Sequence, residues 1–168
     1  AIGFSKDGQT MLTGGYDGRL LWWPVSGNEG EKPSRAIDAH HGWIKAVAVS
    51  PDGSTLAVGN NEFNNTNAVL FFDTAQATTG NATPTSSITT PHFAGDWADN
   101  QTFYVSGADS ATFGTVVNRL DVALGTATTV IDPAGGFSGA VHASGGNLYA
   151  GEGDTGNVFA FDLATLAA

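Results

Sequence analysis

Ala1-Ile2-Gly3-Phe4-Ser5-Lys6-Asp7-Gly8-Gln9-Thr10-Met11-Leu12 returns 45 positions later as Ala46-Val47-Ala48-Val49-Ser50-Pro51-Asp52-Gly53-Ser54-Thr55-Leu56-Ala57. In both copies apolar residues alternate on either side of an Asp-Gly pair. Alternation at period two marks a half-buried strand, and Asp-Gly between two such runs marks a tight hairpin, because its central residues need positive φ. A third copy, Gly95 to Tyr104 with Asp99-Asn100 at its turn, follows 47 later. A fourth, Val141 to Tyr149 with Gly145-Gly146, follows at nearly the same interval. Self-similarity at a period in this range is the mark of a repeat architecture.

Outward from each hairpin the grammar continues. The second strand ends in a polar or Gly-containing turn at Tyr16-Asp17-Gly18, Asn60 to Asn67, Ala108 to Gly114 and Glu152 to Gly156. A third strand follows at Leu20 to Pro24, Val69 to Asp73, Val116 to Asp121 and Val158 to Asp162, and three of these close on an apolar residue and Asp. A weaker fourth strand lies near Ser34 to Asp38, Thr85 to Thr89 and Thr126 to Ile131. Four antiparallel strands in a unit of roughly 45 residues describe one blade of a β-propeller. The expected fold class is therefore all-β, with about four blades at residues 1–38, 39–90, 91–132 and 133–168. The fourth blade shows three strands, which leads to the expectation of a segment from a six- to eight-bladed ring. A complete four-bladed ring, or two such halves pairing into one, competes with it. Trp22, Trp23, Phe71, Phe72, Phe159 and Phe161 are the core candidates, because third-strand aromatics pack between blades. Ala46, Ala48, Gly95 and Gly139 suit innermost strands, where sheets crowd the axis.

Composition narrows the function. With 168 residues and 41% hydrophobic residues the chain can bury a sizeable core, and its 23 glycines with only 13% charged residues suit short strands and turns. Sixteen acids against six Lys and Arg set the net charge at −10, which repels phosphate backbones and anionic headgroups and argues against nucleic-acid binding. Without cysteine there is no disulfide, thiolate metal site or cysteine nucleophile. No apolar span is long enough to insert in a membrane. Acidity, scarce lysine and sequons at Asn64-Asn65-Thr66, Asn81-Ala82-Thr83 and Asn100-Gln101-Thr102 suit a secreted, periplasmic or cell-surface protein.

These repeats resemble the WD40 family and its bacterial YVTN-type relatives over essentially the whole chain. The resemblance implies a structural hydrogen-bond network within a blade, made by a loop His, a strand Ser or Thr, a turn Asp and a third-strand Trp. Asp17 and Trp23 stand at the family spacing, and His41 stands where the loop His belongs. Pro24 replaces the closing Asp, and the second copy carries Thr66 and Phe72 in place of the turn Asp and the Trp. What the family implies is a non-enzymatic module that binds another protein or a surface glycan, with further blades of the same chain or a second copy closing the ring.

Chemical motifs are sparse. No nucleophile-elbow or phosphate-cradling sequence occurs. His92 and His142 lie near innermost strands and are candidate channel or ligand groups; His40 and His41 are adjacent, so both rings rarely reach one ion. Glu152 and Asp154 form an oxygen-rich turn that could take calcium, although no cofactor is expected. Asn60, Asn61, Glu62, Asn64 and Asn65 make a longer insertion of the kind that carries recognition. The alternatives to a binding module are a propeller enzyme of lyase, lactonase or quinoprotein type with a channel site, and a structural part of an extracellular assembly.

Overall fold

The computed structural model describes residues 1–60, 67–79, 83–90, 92–108, 115–132, 139–152 and 156–166. Four antiparallel sheets follow one another along the chain. The first contains β1 (Ile2–Phe4), β2 (Thr10–Gly14), β3 (Arg19–Pro24) and β4 (Arg35–Asp38) in that order. The second contains β5 (Ile44–Val49), β6 (Thr55–Asn60), β7 (Ala68–Asp73) and β8 (Ser86–Thr89). β9 (Ala94–Trp97), β10 (Thr102–Ala108), β11 (Thr115–Asp121) and β12 (Thr126–Ile131) make the third. The last is three-stranded, with β13 (Val141–Ser144), β14 (Asn147–Gly151) and β15 (Val158–Asp162), followed by the short helix α1 (Leu163–Leu166). Each sheet pairs only sequential neighbours, as a propeller blade does. The innermost strands β1, β5, β9 and β13 pack in sequence, so the blades form an arc.

The repeated motif folds the same way twice. Ser5 Oγ donates to Asp7 Oδ1 at 2.6 Å, Gln9 N donates to the same oxygen at 3.0 Å, and Thr10 N donates to Ser5 Oγ at 3.0 Å. The second copy repeats these bonds at 2.7, 2.9 and 2.9 Å with Ser50, Asp52, Ser54 and Thr55. Gly8 and Gly53 take φ of 68° and 83°, a conformation that costs a side-chain-bearing residue. Three hydrogen bonds to the Asp52 carboxylate, led by Ser50, hold its pKa down at about 2, and the Ser5 hydroxyl lowers Asp7 in the same way. In the third copy Asp99 Oδ1 accepts from Gln101 N and Thr102 N, so one carboxylate still closes the turn after the serine is lost.

Alternation sends one face of each blade to the blade before it and the other to the blade after it. Leu12, Leu20, Trp22 and Ile37 of the first blade meet Val47, Leu56, Val58 and Phe72 of the second. Ala57, Val69, Phe71 and Ile88 on the second blade's other face meet Trp97, Phe103, Val105 and Leu120 of the third. Tyr104, Val117 and Ile131 then meet Val141, Leu148 and Ala150 of the fourth. Each fully buried large side chain contributes about 1.5–3 kcal/mol, so these three seams hold the arc. Two of the small residues expected near the axis are needed within their own blades: a Cβ on Gly95 would strike the Phe103 ring, and one on Gly139 would strike Gly151 O.

Among the core candidates, Trp22, Phe71 and Phe72 are buried, whereas three differ from expectation. Phe159 is 40% exposed because β15 is the outermost strand of its sheet among the described residues. Phe161 is half-buried against the third seam. Trp23 is half-buried because it shares its face of the first blade with Ile2 and Phe4, which are 66% and 54% exposed.

Candidate interaction site

Antiparallel strands put the β1–β2 and β5–β6 hairpins at one end of the blades and the β2–β3 and β4–β5 connections at the other. At this second end the turn Gly14 to Gly18 docks against the loop Ala39 to Trp43. Ala39 N and His40 N both donate to Gly18 O, at 3.0 and 3.1 Å, and Ile44 N donates to Gly15 O at 3.0 Å. Two glycines make this contact possible. A Cβ on Gly18, whose φ is 73°, would collide with His40 O, and one on Gly14 would collide with the Ile44 side chain.

The docked loops hold up an aromatic pair. Tyr16 and Trp43 meet edge to face with centroids 4.7 Å apart, and they remain 70% and 44% exposed. Lys45 completes the group, its Nζ standing 5.4 Å from the Tyr16 ring and 5.3 Å from the Trp43 ring, within cation–π reach of both. Its position follows from a β-bulge. β5 pairs Ile44 with Asn60 and Ala46 with Gly59, leaving Lys45 as the extra residue. Such bulges re-aim a side chain, and here Ile44 stays in the core while Lys45 turns out to the rings. A small cavity of about 160 Å³ opens beside them, between Gly14, Gly15, Tyr16, Ile44 and Lys45. Exposed Tyr and Trp on a rigid loop pair are the residue types that dominate binding energy at protein interfaces.

A larger cleft of about 530 Å³ lies at the hairpin end between the first two blades. Its floor is Leu12, Trp22 and Val49, and its rim carries Lys6, Asp7 and Asp52. Those carboxylates are engaged in closing their own turns, so the aromatic group is the better-formed site.

The residues singled out in the sequence take varied places. Trp23 Nε1 donates to Thr13 Oγ1 at 2.9 Å, across the β2–β3 pair. Asp17 instead accepts from Arg19 N at 3.1 Å. The His41 ring is exposed, and its carbonyl accepts from Asn60 Nδ2 at 3.3 Å while His40 Nδ1 lies 3.1 Å from it. No hydrogen bond among the described residues joins Asp17, Trp23 and His41. His92, expected near the channel, is 1% exposed and packs on Gly59, where a Cβ would strike its ring; Nδ1 lies 2.9 Å from Thr90 O. Burial pushes its pKa down.

His142 is exposed on β13, and its Nδ1 lies 2.7 Å from Asp96 Oδ2 of β9. The same oxygen accepts from Ala143 N at 3.0 Å, so Asp96 joins the third and fourth blades. Asn60 is buried, and its Oδ1 accepts from Ala68 N. Asn61, Glu62, Asn64, Asn65 and Asp154 lie outside the described residues. Glu152 Oε2 accepts from Asn157 Nδ2 at 3.4 Å. Among the described residues no three His, Asp or Glu side chains converge as a metal site would require. Nor is any helix there long and apolar enough to cross a membrane.

The blade order and seams define the class, a β-propeller built of sequential antiparallel sheets. Residues 1–24 and 31–66 match the repeat family described as WD domain, G-beta repeat. Among the solved structures that share the fold, three match nearly the whole chain as follows. They are a mitotic checkpoint complex (15% identity, TM-score 0.73, 98% of this chain and 49% of that one), and the Cps50 (Swd1) β-propeller domain of Myceliophteria thermophila (16%, 0.72, 99% and 52%). The third is hydrazine synthase of Kuenenia stuttgartiensis (21%, 0.75, 98% and 46%). No curated protein matches in sequence. The chain thus has a β-propeller fold with WD repeats matched within residues 1–66, and it spans about half the length of these solved structures.

The sequence reading missed Tyr16, Trp43 and Lys45. Two signals pointed there: an aromatic inside a Gly-rich turn, and a Trp in a connection where a polar residue is the norm.

Proposed function

We propose that this chain is a non-enzymatic binding module whose loop end receives a protein partner at Tyr16, Trp43 and Lys45. The observation that carries this reading is the exposed, edge-to-face Tyr16–Trp43 pair, fixed by three backbone hydrogen bonds between its two loops. A partner recovered from native extract should lose at least tenfold in binding when Trp43→Ala or Tyr16→Ala removes a ring, with the circular dichroism of the fold unchanged. Equal recovery by both variants would overturn the proposal. A surface glycan is the alternative occupant, since sugar rings also stack on exposed aromatics; an array of glycans probed with wild type and Trp43→Ala separates the two.

A second surface supports a further blade. Ile2 and Phe4 occupy in β1 the places of Val47 and Val49 in β5, where the first blade covers them. In β1 no described blade lies over them. We infer that another blade, of the same polypeptide or of a second copy, packs on this face. A chain that remained monomeric and bound no apolar dye there would argue against it. Acidity and scarce lysine support an extracytoplasmic location, which fractionation of the source cells tests.

A further inference from the structure

We infer that the group received at the Tyr16–Trp43–Lys45 site is a carboxylate, borne by an acidic peptide segment that also places an apolar or aromatic side chain on Trp43. The inference rests on the reading of the loop end as a protein-binding site and goes beyond it to the partner's chemistry. Lys45 is its centre. The chain has sixteen acids and only six Lys and Arg, so a cation here has abundant carboxylates to pair with. Arg19 does so, 3.9 Å from Asp38, and Lys6 lowers the pKa of Asp52 through its charge. No carboxylate among the described residues comes within ion-pair distance of Lys45, which lies over the two rings and lines the small cavity with Ala1.

The rings hold the ammonium at the surface. A cation over an aromatic face is attracted by the ring quadrupole, and its N–H donors stay open to water or to an incoming acceptor. Asp17, next to Tyr16 in sequence, is folded back on Arg19 N of its own turn. The β-bulge and the two rings place the Lys45 ammonium at the loop end before a ligand arrives. A carboxylate that approaches gains a charge-assisted hydrogen bond to a pre-positioned donor, and the exposed face of Trp43 offers its neighbour an apolar surface. A ligand ammonium would have to displace Lys45 from the rings it already occupies.

The test uses the 168-residue chain and three acetylated hexapeptides, measured by titration calorimetry at low and physiological salt. One contains two Glu flanking Trp, one the Gln counterparts and one the Lys counterparts. The acidic peptide should bind at least tenfold tighter than the Gln peptide and weaken as salt rises. Lys45→Met, which keeps the stem and removes the charge, should abolish that difference, and Lys45→Arg should restore it. Preference for the Lys peptide, no binding of any peptide, or an unchanged affinity in Lys45→Met would overturn the inference. The broader reading fails separately: a native partner lost with Trp43→Ala but retained with Lys45→Met leaves the site in place and removes only its carboxylate chemistry.

Discussion

The seam between the second and third blades and the seam between the third and fourth are built on the same repeat and held by different means. At the first, Trp97, Phe71 and Phe103 form a ring cluster with centroids 5.0 to 6.0 Å apart at steep angles, and the Trp97 indole donates to Ala48 O at 3.1 Å. At the second, the position in β9 next to Trp97 is Asp96, which accepts from Ala143 N and lies against His142, while Tyr104 and Arg119 occupy the partner strands. Burial raises the Tyr104 pKa. The repeat thus specifies where a blade touches its neighbour, and each seam is free to use apolar area or a carboxylate.

The largest expected effect is at the aromatic seam. Phe103→Ala empties a site with 0% exposure and should cost about 3–5 kcal/mol, read from the midpoint of urea unfolding. A loss below about 1 kcal/mol would mean that the rings do not hold that seam. Asp96→Ala should cost less, about 1–2 kcal/mol, chiefly by leaving the Ala143 N–H without its acceptor. If it matched Phe103→Ala, the two seams would not differ as described.

Acid adds a third measure. The folded pKa of His92 lies below its ordinary value, so the unfolded chain binds the proton more readily. Stability should fall as pH drops through about 6.5, and His92→Gln should flatten that dependence in thermal melts between pH 7 and 5. An unchanged slope would assign the acid sensitivity elsewhere. The Asp52 carboxylate acts lower: its stabilisation is present above its unfolded pKa of about 3.9 and is lost toward 2. The smallest effect on folding is expected at the loop end. Trp43→Ala should change stability by no more than about 0.5 kcal/mol, because nearly half of the side chain is already exposed, and its effect belongs to binding.

Much of this architecture was readable residue by residue. Asp7-Gly8 and Asp52-Gly53 announced hairpins, alternation announced which residues share a face, and the period announced blades. Phe159 was misplaced because periodicity names a face and not what lies beyond it. Asp96 and His142, 46 positions apart, carry no mutual signal, since nothing local couples two innermost strands. The Tyr16–Trp43–Lys45 group escaped notice for the same reason: a turn and a loop from different strand pairs meet only after the blades have stacked.

Local preference therefore determined the strands, their turns and the repeat, because φ, alternation and Asx bonding act within a few residues. Tertiary structure alone decided which surfaces stayed open and which side chains from separate loops came together. Those depend on how one blade's face meets the next, a property of the stacked sheets that no single stretch of chain contains.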